Sequence, residues 1–269
     1  MDGMQKQRNL ILILIIIVLG AGFFIYRDLR GGKETTPEAG PSAGNIEVTL
    51  PDAEKVQNGA LQGSDEITPV NIAVPDLNRA ITFTITLSDS EKEKIIARAS
   101  ELTGLLKKDA NSLDNWLALG LLRKTIGDYE GARQAWEYAS AIRPKNSVSF
   151  RNLGDLYHYY LKDYPKAEFN LKQSVKNDPL YIGTYRALVD LYIQSYTNKL
   201  SEVPNVLADG LKSNPNQYDL LIMMATYYKN AGDKTNAKIY YERALSVADK
   251  SGMTSMKQII TDEIQKLSQ

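Results

Sequence analysis

Residues 113–144 read LDNWLALGLLRKTIGDYEGARQAWEYASAIRP, and this stretch decides the fold. On each side of the central turn Gly127-Asp128, apolar and small residues recur at intervals of three and four, which is the spacing of amphipathic helices. Pro144 closes the stretch at a position where a missing N–H stops a helix at little cost. The sequence therefore predicts a unit of two helices joined by a short turn.

The same pattern is written four times along the chain. The copies align on one large apolar residue each, at successive spacings of 34, 35 and 36 residues: Trp116, Phe150, Tyr185 and Leu221. Two copies depart from the first at the inner turn. Residues 161–165 (LKDYP) lengthen the turn of the second copy, and residues 196–200 (YTNKL) replace the Gly-Asp turn in the third.

This pattern resembles the tetratricopeptide repeat, a helix-turn-helix unit of 34 residues. The resemblance implies an all-α, right-handed solenoid, with units at 111–146, 147–181, 182–217 and 218–250. Small residues at recurring positions are expected to let paired helices approach closely. They are Gly120, Ala132, Gly154, Ala167, Ala225 and Ala237. Because a unit does not bury its own apolar face alone, helices in 88–110 and 251–269 are predicted to cover the two ends.

The amino-terminal part has a different composition. After a short basic start at 1–9, residues 10–26 (LILILIIIVLGAGFFIY) are uncharged throughout and reach the lower end of the length that spans a bilayer. They are predicted to form a single transmembrane anchor; a cleaved signal peptide is the alternative, although Leu19 fits a cleavage site poorly. Positive charge lies on both sides of this stretch, but a short basic start that leads directly into an apolar run favours an amino terminus in the cytoplasm and repeats outside. The layout indicates a bacterial cell membrane.

Residues 27–66 are polar and acidic, and are predicted to be a flexible linker. Residues 67–87 are predicted to be extended, because 81–87 (ITFTITL) alternate apolar residues with threonine. Residues 46–50 (IEVTL) alternate similarly. Two interpretations of 81–87 stay open: a segment packed against the first helices, or an edge strand offered to another chain.

The composition offers little for catalysis. The chain has no cysteine and one histidine, so cysteine nucleophiles and paired-histidine zinc sites are excluded. It also lacks a glycine-rich phosphate loop. The formal net charge is +0, and no basic stretch is typical of a nucleic-acid surface. We therefore expect no enzymatic activity, no cofactor, no metal and no nucleic acid.

The resemblance implies that the first helix of each unit lines a concave groove that holds the ligand. Seven groove positions of the second and third units carry polar or aromatic residues: Arg151, Asn152, Asp155, His158, Tyr159, Arg186 and Asp190. The Arg–Asp pairs are spaced i, i+4, so each can form within its helix, or the charges can cross between units. Asp155 and His158 are close enough on a helix to share a proton, or are an ordinary exposed pair. Tyrosine and arginine are common binding hot spots, which makes Tyr159 the predicted partner contact.

The sequence thus predicts a membrane-tethered scaffold that binds a protein or peptide partner without catalysis. The alternative is a structural subunit of a cell-envelope assembly. Such a subunit would form homo-oligomers through the strand-like segment and the repeats.

Overall fold

The computed structural model describes residues 73–268, which form ten α-helices. These are α1 (Asp89–Lys108), α2 (Leu113–Thr125), α3 (Tyr129–Ile142), α4 (Ser147–Leu156), α5 (Tyr164–Asn177), α6 (Ile182–Gln194), α7 (Val203–Ser213), α8 (Tyr218–Asn230), α9 (Lys234–Lys250) and α10 (Thr254–Leu267). A π-helical turn (Tyr157–Leu161) follows α4, and a 3₁₀ helix (Thr197–Glu202) precedes α7. The predicted anchor at 10–26, the linker at 27–66 and the alternating residues 46–50 lie outside the described residues.

Consecutive helices pack on one another in pairs, and the pairs stack in chain order. The predicted units contain these pairs: 111–146 holds α2 and α3, 147–181 holds α4 and α5, 182–217 holds α6 and α7, and 218–250 holds α8 and α9. One continuous apolar core runs from Leu102 in α1 to Ile260 in α10. Stacking buries this core between neighbouring units, as expected for a helical solenoid. All regular secondary structure in residues 73–268 is helical, as predicted.

Small residues occupy the closest approaches within the pairs. A Cβ on residue 120 would overlap the indole ring of Trp136, whose Nε1–H donates to the Leu117 carbonyl at 3.2 Å. A Cβ on residue 154 would likewise collide with the side chain of Leu171. The four predicted alanine positions are fully buried. These contacts confirm the role predicted for the small residues.

The inner turns of the units take two forms. In the first and fourth units, Gly127 and Gly232 adopt positive φ angles of 84° and 79°, which glycine accepts without strain. The following aspartates, Asp128 and Asp233, cap the next helix by accepting a backbone N–H. The second unit replaces this turn with the π-helical turn, ended by Lys162 in the left-handed region at φ 57°. The third uses the 3₁₀ helix.

Residues 76–87, here called the strap, form no β-strand, so the strand-like part of the prediction for 67–87 is not supported. The Thr84 N–H donates to the Ile126 carbonyl at 3.0 Å, at the end of α2. Nearby, Arg79 forms an ion pair with Asp128 at 2.8 Å. Thr84 and Arg79 attach the strap to the first unit, Ile81, Phe83 and Leu87 are partly buried, and Ile85 is 43% exposed. The interpretation of this segment as one packed against the first helices therefore agrees with the structure.

The end helices differ from each other. α1 begins with a capping box in which Ser88 and Glu91 bond reciprocally. α10 buries Ile260 against the preceding pair but leaves Met256 and Ile259 exposed. Within residues 73–268, no helix is both long enough and apolar enough to cross a bilayer.

Candidate binding surface

The first helices of the second and third units position most of the predicted site residues. Arg151, Asn152 and Asp155 lie on α4, and Arg186 and Asp190 lie on α6. All five are partly or largely exposed. His158 and Tyr159 instead lie in the π-helical turn, one turn beyond α4.

Asp155 lies among charges from three units. Burial raises the pKa of its carboxyl group, while the positive charges of Lys124 and then Arg151 act to lower it. Lys124, at the end of α2, shows the reverse: burial lowers its pKa and the Asp155 charge opposes that change. The Lys124 ammonium also lies 5.2 Å from the ring centre of Tyr160. The first unit therefore contributes a cation to this surface, although Lys124 was not among the predicted site residues.

Arg186 reaches across a unit boundary, and Arg151 reaches the end of its own unit. Arg186 Nη1 lies 3.5 Å from Asp219 Oδ2 on α8, so this charge joins the third unit to the fourth. The guanidinium of Arg151 lies over the ring of Tyr181, 4.0 Å from its centre, just before α6. A side chain at Gly183 would collide with that same ring. Of the two arrangements left open by the sequence, Arg186 shows the one that crosses between units.

Asp190, on α6, adds a second carboxylate to the one that Asp155 supplies. Burial raises its pKa, and the charge of Arg186 opposes that shift. The charges of Asp190 and Asp155 both act on the Tyr159 hydroxyl, whose pKa is raised first by burial and then by these carboxylates. The structure therefore brings Asp155, Tyr159 and Asp190 together on one surface.

His158 does not lie on the exposed surface, which corrects its predicted place in the groove. Its side chain is 1% exposed, and Nε2 lies 3.0 Å from Ser195 Oγ, at the end of α6. The physical reason is the π-helical turn, which inserts an extra residue and so rotates the following side chains away from their α-helical directions. His158 therefore forms its hydrogen bond with Ser195, and the charges that act on Asp155 are those of Lys124 and Arg151.

Two tyrosines of the same turn are exposed instead. Tyr159 is 42% exposed and stacks on the His158 ring at 3.9 Å. Tyr160 is 39% exposed and its ring centre lies 4.5 Å from that of Tyr129, at the start of α3. The prediction included Tyr159 but missed Tyr160. The longer inner turn at 161–165 was the only sequence signal that this part of the unit departs from the family pattern.

We call these residues the α4–α6 surface: Lys124, Arg151, Asp155, Tyr159, Tyr160, Arg186 and Asp190. It combines three basic and two acidic side chains with two exposed aromatic rings. Within residues 73–268 there is no group of three side chains that could hold a metal ion.

Paired, stacked helices and an exposed surface built from their first helices define a helical-repeat scaffold. Residues 218–251, which span α8 and α9, match the tetratricopeptide repeat family model. The fourth unit is therefore a tetratricopeptide repeat, as the resemblance seen in the sequence implied.

Several solved structures of low sequence identity are similar to this chain. A crystal structure of MamA is 17% identical, with a TM-score of 0.48, and the match covers 63% of this chain and 99% of that one. PilF of Pseudomonas aeruginosa is 18% identical, with a TM-score of 0.46 and coverage of 66% and 86%. YrrB, described as a TPR protein with an unusual peptide-binding site, is 16% identical, with a TM-score of 0.44 and coverage of 59% and 80%. No curated protein has a matching sequence.

Proposed function

We propose that this protein is a membrane-tethered, non-catalytic scaffold that binds a protein or peptide partner on the α4–α6 surface. The observation that carries this proposal is the exposed ring of Tyr159, stacked on a buried histidine and flanked by Asp155 and Asp190. A ring held in place loses little conformational freedom on binding, and tyrosine and arginine dominate binding energies at protein interfaces. Stacked helical repeats use such surfaces for extended contacts.

The amino-terminal sequence supports the membrane part of the proposal. Residues 10–26 are apolar enough to anchor the chain, and the acidic residues 27–66 are typical of a flexible linker. A linker of this length has a root-mean-square reach on the order of 30 to 35 Å. The scaffold would act by concentration, because it keeps its partner within that distance of the bilayer.

Proximity labelling with the full-length chain tests the binding surface. We expect a set of neighbours that wild type labels and that Arg151→Ala/Tyr159→Ala loses by about tenfold or more, since both hot-spot side chains are removed. Phe169→Ala is the matched control, because Phe169 is 63% exposed on α5, outside the proposed surface. Equal labelling by the double variant, with its melting temperature unchanged, would reject this surface as the binding site.

A subunit of a cell-envelope assembly is the second candidate, and one observation favours it. Met256 and Ile259 are 42% and 56% exposed on α10, at the last described helix of the stack. Strand pairing through 81–87 is not favoured, because the Thr84 N–H is already bonded to Ile126. Light scattering of the detergent-extracted chain separates the candidates. A defined homo-oligomer that Met256→Ser/Ile259→Ser dissociates supports the assembly, and a monomer supports the scaffold.

A further inference from the structure

His158 occupies a junction between the second and third units. It is the chain's single histidine, and it lies in the π-helical turn that replaces the usual inner turn of the second unit. Nε2 bonds Ser195 Oγ, which follows α6 and begins the irregular inner turn of the third unit. One imidazole thus joins the two inner turns that depart from the family pattern.

The second ring nitrogen, Nδ1, differs from Nε2 in its surroundings. His158 Nδ1 is buried and has no hydrogen-bond partner among the residues that the structure describes. A neutral imidazole tolerates this arrangement, because Nε2–H can donate to Ser195 and leave only a lone pair at Nδ1. A protonated ring carries two N–H donors, and the Nδ1–H would then be buried and unsatisfied, which is costly. The site as built therefore holds the neutral ring.

The surroundings of the ring reinforce this preference. Tyr159 stacks on it, and Tyr164 at the start of α5 meets it edge-on at 6.3 Å. Burial lowers the pKa of His158, and the positive charge of Lys162 in the same turn lowers it further. The charges of Asp155 and Asp190 raise the pKa of the Tyr159 hydroxyl, and neither is among the groups that shift the pKa of His158.

We propose that His158 is a pH-sensitive latch: protonation drives its imidazole out of the junction, breaks the bond to Ser195 and releases Tyr159 from its stacked position. In the neutral state the latch holds the second and third units together and presents Tyr159 on the α4–α6 surface. In the protonated state that support is lost. The effect on partner binding rests on the proposed function, whereas the latch itself does not.

The stability consequence has a definite sign. An unfolded histidine has a pKa of about 6.5, and the folded value is lower, so below about pH 6.5 the unfolded chain binds more protons than the folded chain. Stability is therefore fully present above that pH and falls as the pH drops toward the folded pKa. The raised pKa values of Asp155 and Asp190 act in the opposite direction at lower pH, so a matched variant is needed to isolate His158.

NMR on the full-length wild-type chain in detergent tests the latch without any substitution. A chain with one histidine gives one set of imidazole signals, and we expect their titration midpoint to lie below about pH 6.5. The ring signals of Tyr159, assigned with Tyr159→Phe, should change with the same midpoint. A histidine midpoint at or above 6.5, or Tyr159 signals that do not follow it, would overturn the proposal.

Thermal unfolding gives a second, independent measurement. Between pH 7.5 and 5.5 we expect wild type to lose roughly 2 to 4 °C more in melting temperature than His158→Gln, whose side chain cannot take up a proton. Equal losses would argue against the latch. If the latch titrates as expected but Arg151→Ala/Tyr159→Ala still labels its neighbours normally, the proposed binding surface fails while the latch stands.

Discussion

Gly120 faces the indole ring of Trp136, which belongs to the second helix of the same unit. The ring lies where a Cβ would be, and its Nε1–H is fixed to the Leu117 carbonyl. A rigid, fully buried indole cannot move aside as the end of a flexible side chain can. Residue 120 therefore sets the distance between α2 and α3.

Gly120→Ala is expected to destabilise the protein by about 1 to 3 kcal/mol, the usual cost of overpacking a core. Gly104→Ala is the matched control, because Gly104 lies inside α1 and no heavy atom lies within 4 Å of the place that a Cβ would take. There, alanine should stabilise by roughly 0.5 to 1 kcal/mol through its higher helix propensity. Urea unfolding of both variants measures the change in the free energy of unfolding. A Gly120→Ala variant as stable as wild type would contradict the close approach of α2 and α3.

Such local contacts were predictable because they follow from short-range periodicity. The positions of Gly120 and Gly154 follow from a repeat whose period is visible in the sequence. The burial of His158 was not predictable in the same way. It depends on a π-helical turn, and one inserted residue changes which side chains face outward while leaving the flanking pattern intact. The partnership of Lys124 with Asp155 also requires two units to be stacked before it exists.

The strap is the element whose structure the sequence left most open. Its attachment centres on Asp128, which accepts hydrogen bonds from Arg79, from Arg123 at 2.6 Å and from the Gly131 N–H at 2.9 Å. Arg123 is 2% exposed and also donates to the Arg79 carbonyl at 3.1 Å. A single carboxylate thus caps α3, neutralises a buried arginine and holds the strap on the first unit.

Acid should loosen this attachment. Burial acts to raise the pKa of Asp128, but hydrogen bonds from Arg79, the Gly131 N–H and Arg123 lower it to about 2. Because the unfolded pKa is about 3.9, the stabilisation is present above that pH and is lost as the pH falls toward 2. Its size is roughly 2 to 3 kcal/mol.

Asp128→Asn is accordingly expected to cost several kcal/mol at pH 7, on the order of 3 to 5, because it leaves the charge of Arg123 buried and uncompensated. The difference from wild type should shrink between pH 4 and pH 2.5. Urea unfolding at several pH values measures it. Asp233→Asn is the control, since Asp233 caps α9 in the same kind of turn and bonds Asn236 rather than arginines. A cost at pH 2.5 as large as at pH 7 would exclude Asp128 as the titrating group.

For the molecule as a whole, the repeats define what can be bound and the amino-terminal segment is expected to define where. The charge distribution supports that division, because the formal net charge of +0 includes an acidic linker between two more basic parts. In the proposed arrangement, removal of residues 10–26 would free the repeats from the membrane, and the partner would no longer be concentrated there.

The absence of native cysteine makes the proposed orientation directly measurable. A single Ser251→Cys variant places one thiol at an exposed position after α9, and Gln5→Cys places one before the predicted anchor. With the repeats outside, a membrane-impermeant maleimide should label Ser251→Cys in intact cells and label Gln5→Cys only after the cells are opened. The reverse pattern would place the repeats in the cytoplasm.

Deletion of residues 1–30 should move the protein from the membrane fraction to the soluble fraction, because no apolar stretch of comparable length remains in the sequence. If the deletion variant stays in the membrane fraction, the solenoid itself binds either the membrane or a membrane-resident partner. Adding Arg151→Ala/Tyr159→Ala to the deletion would then release the protein if a partner on the α4–α6 surface retains it, and would leave it bound if the membrane does.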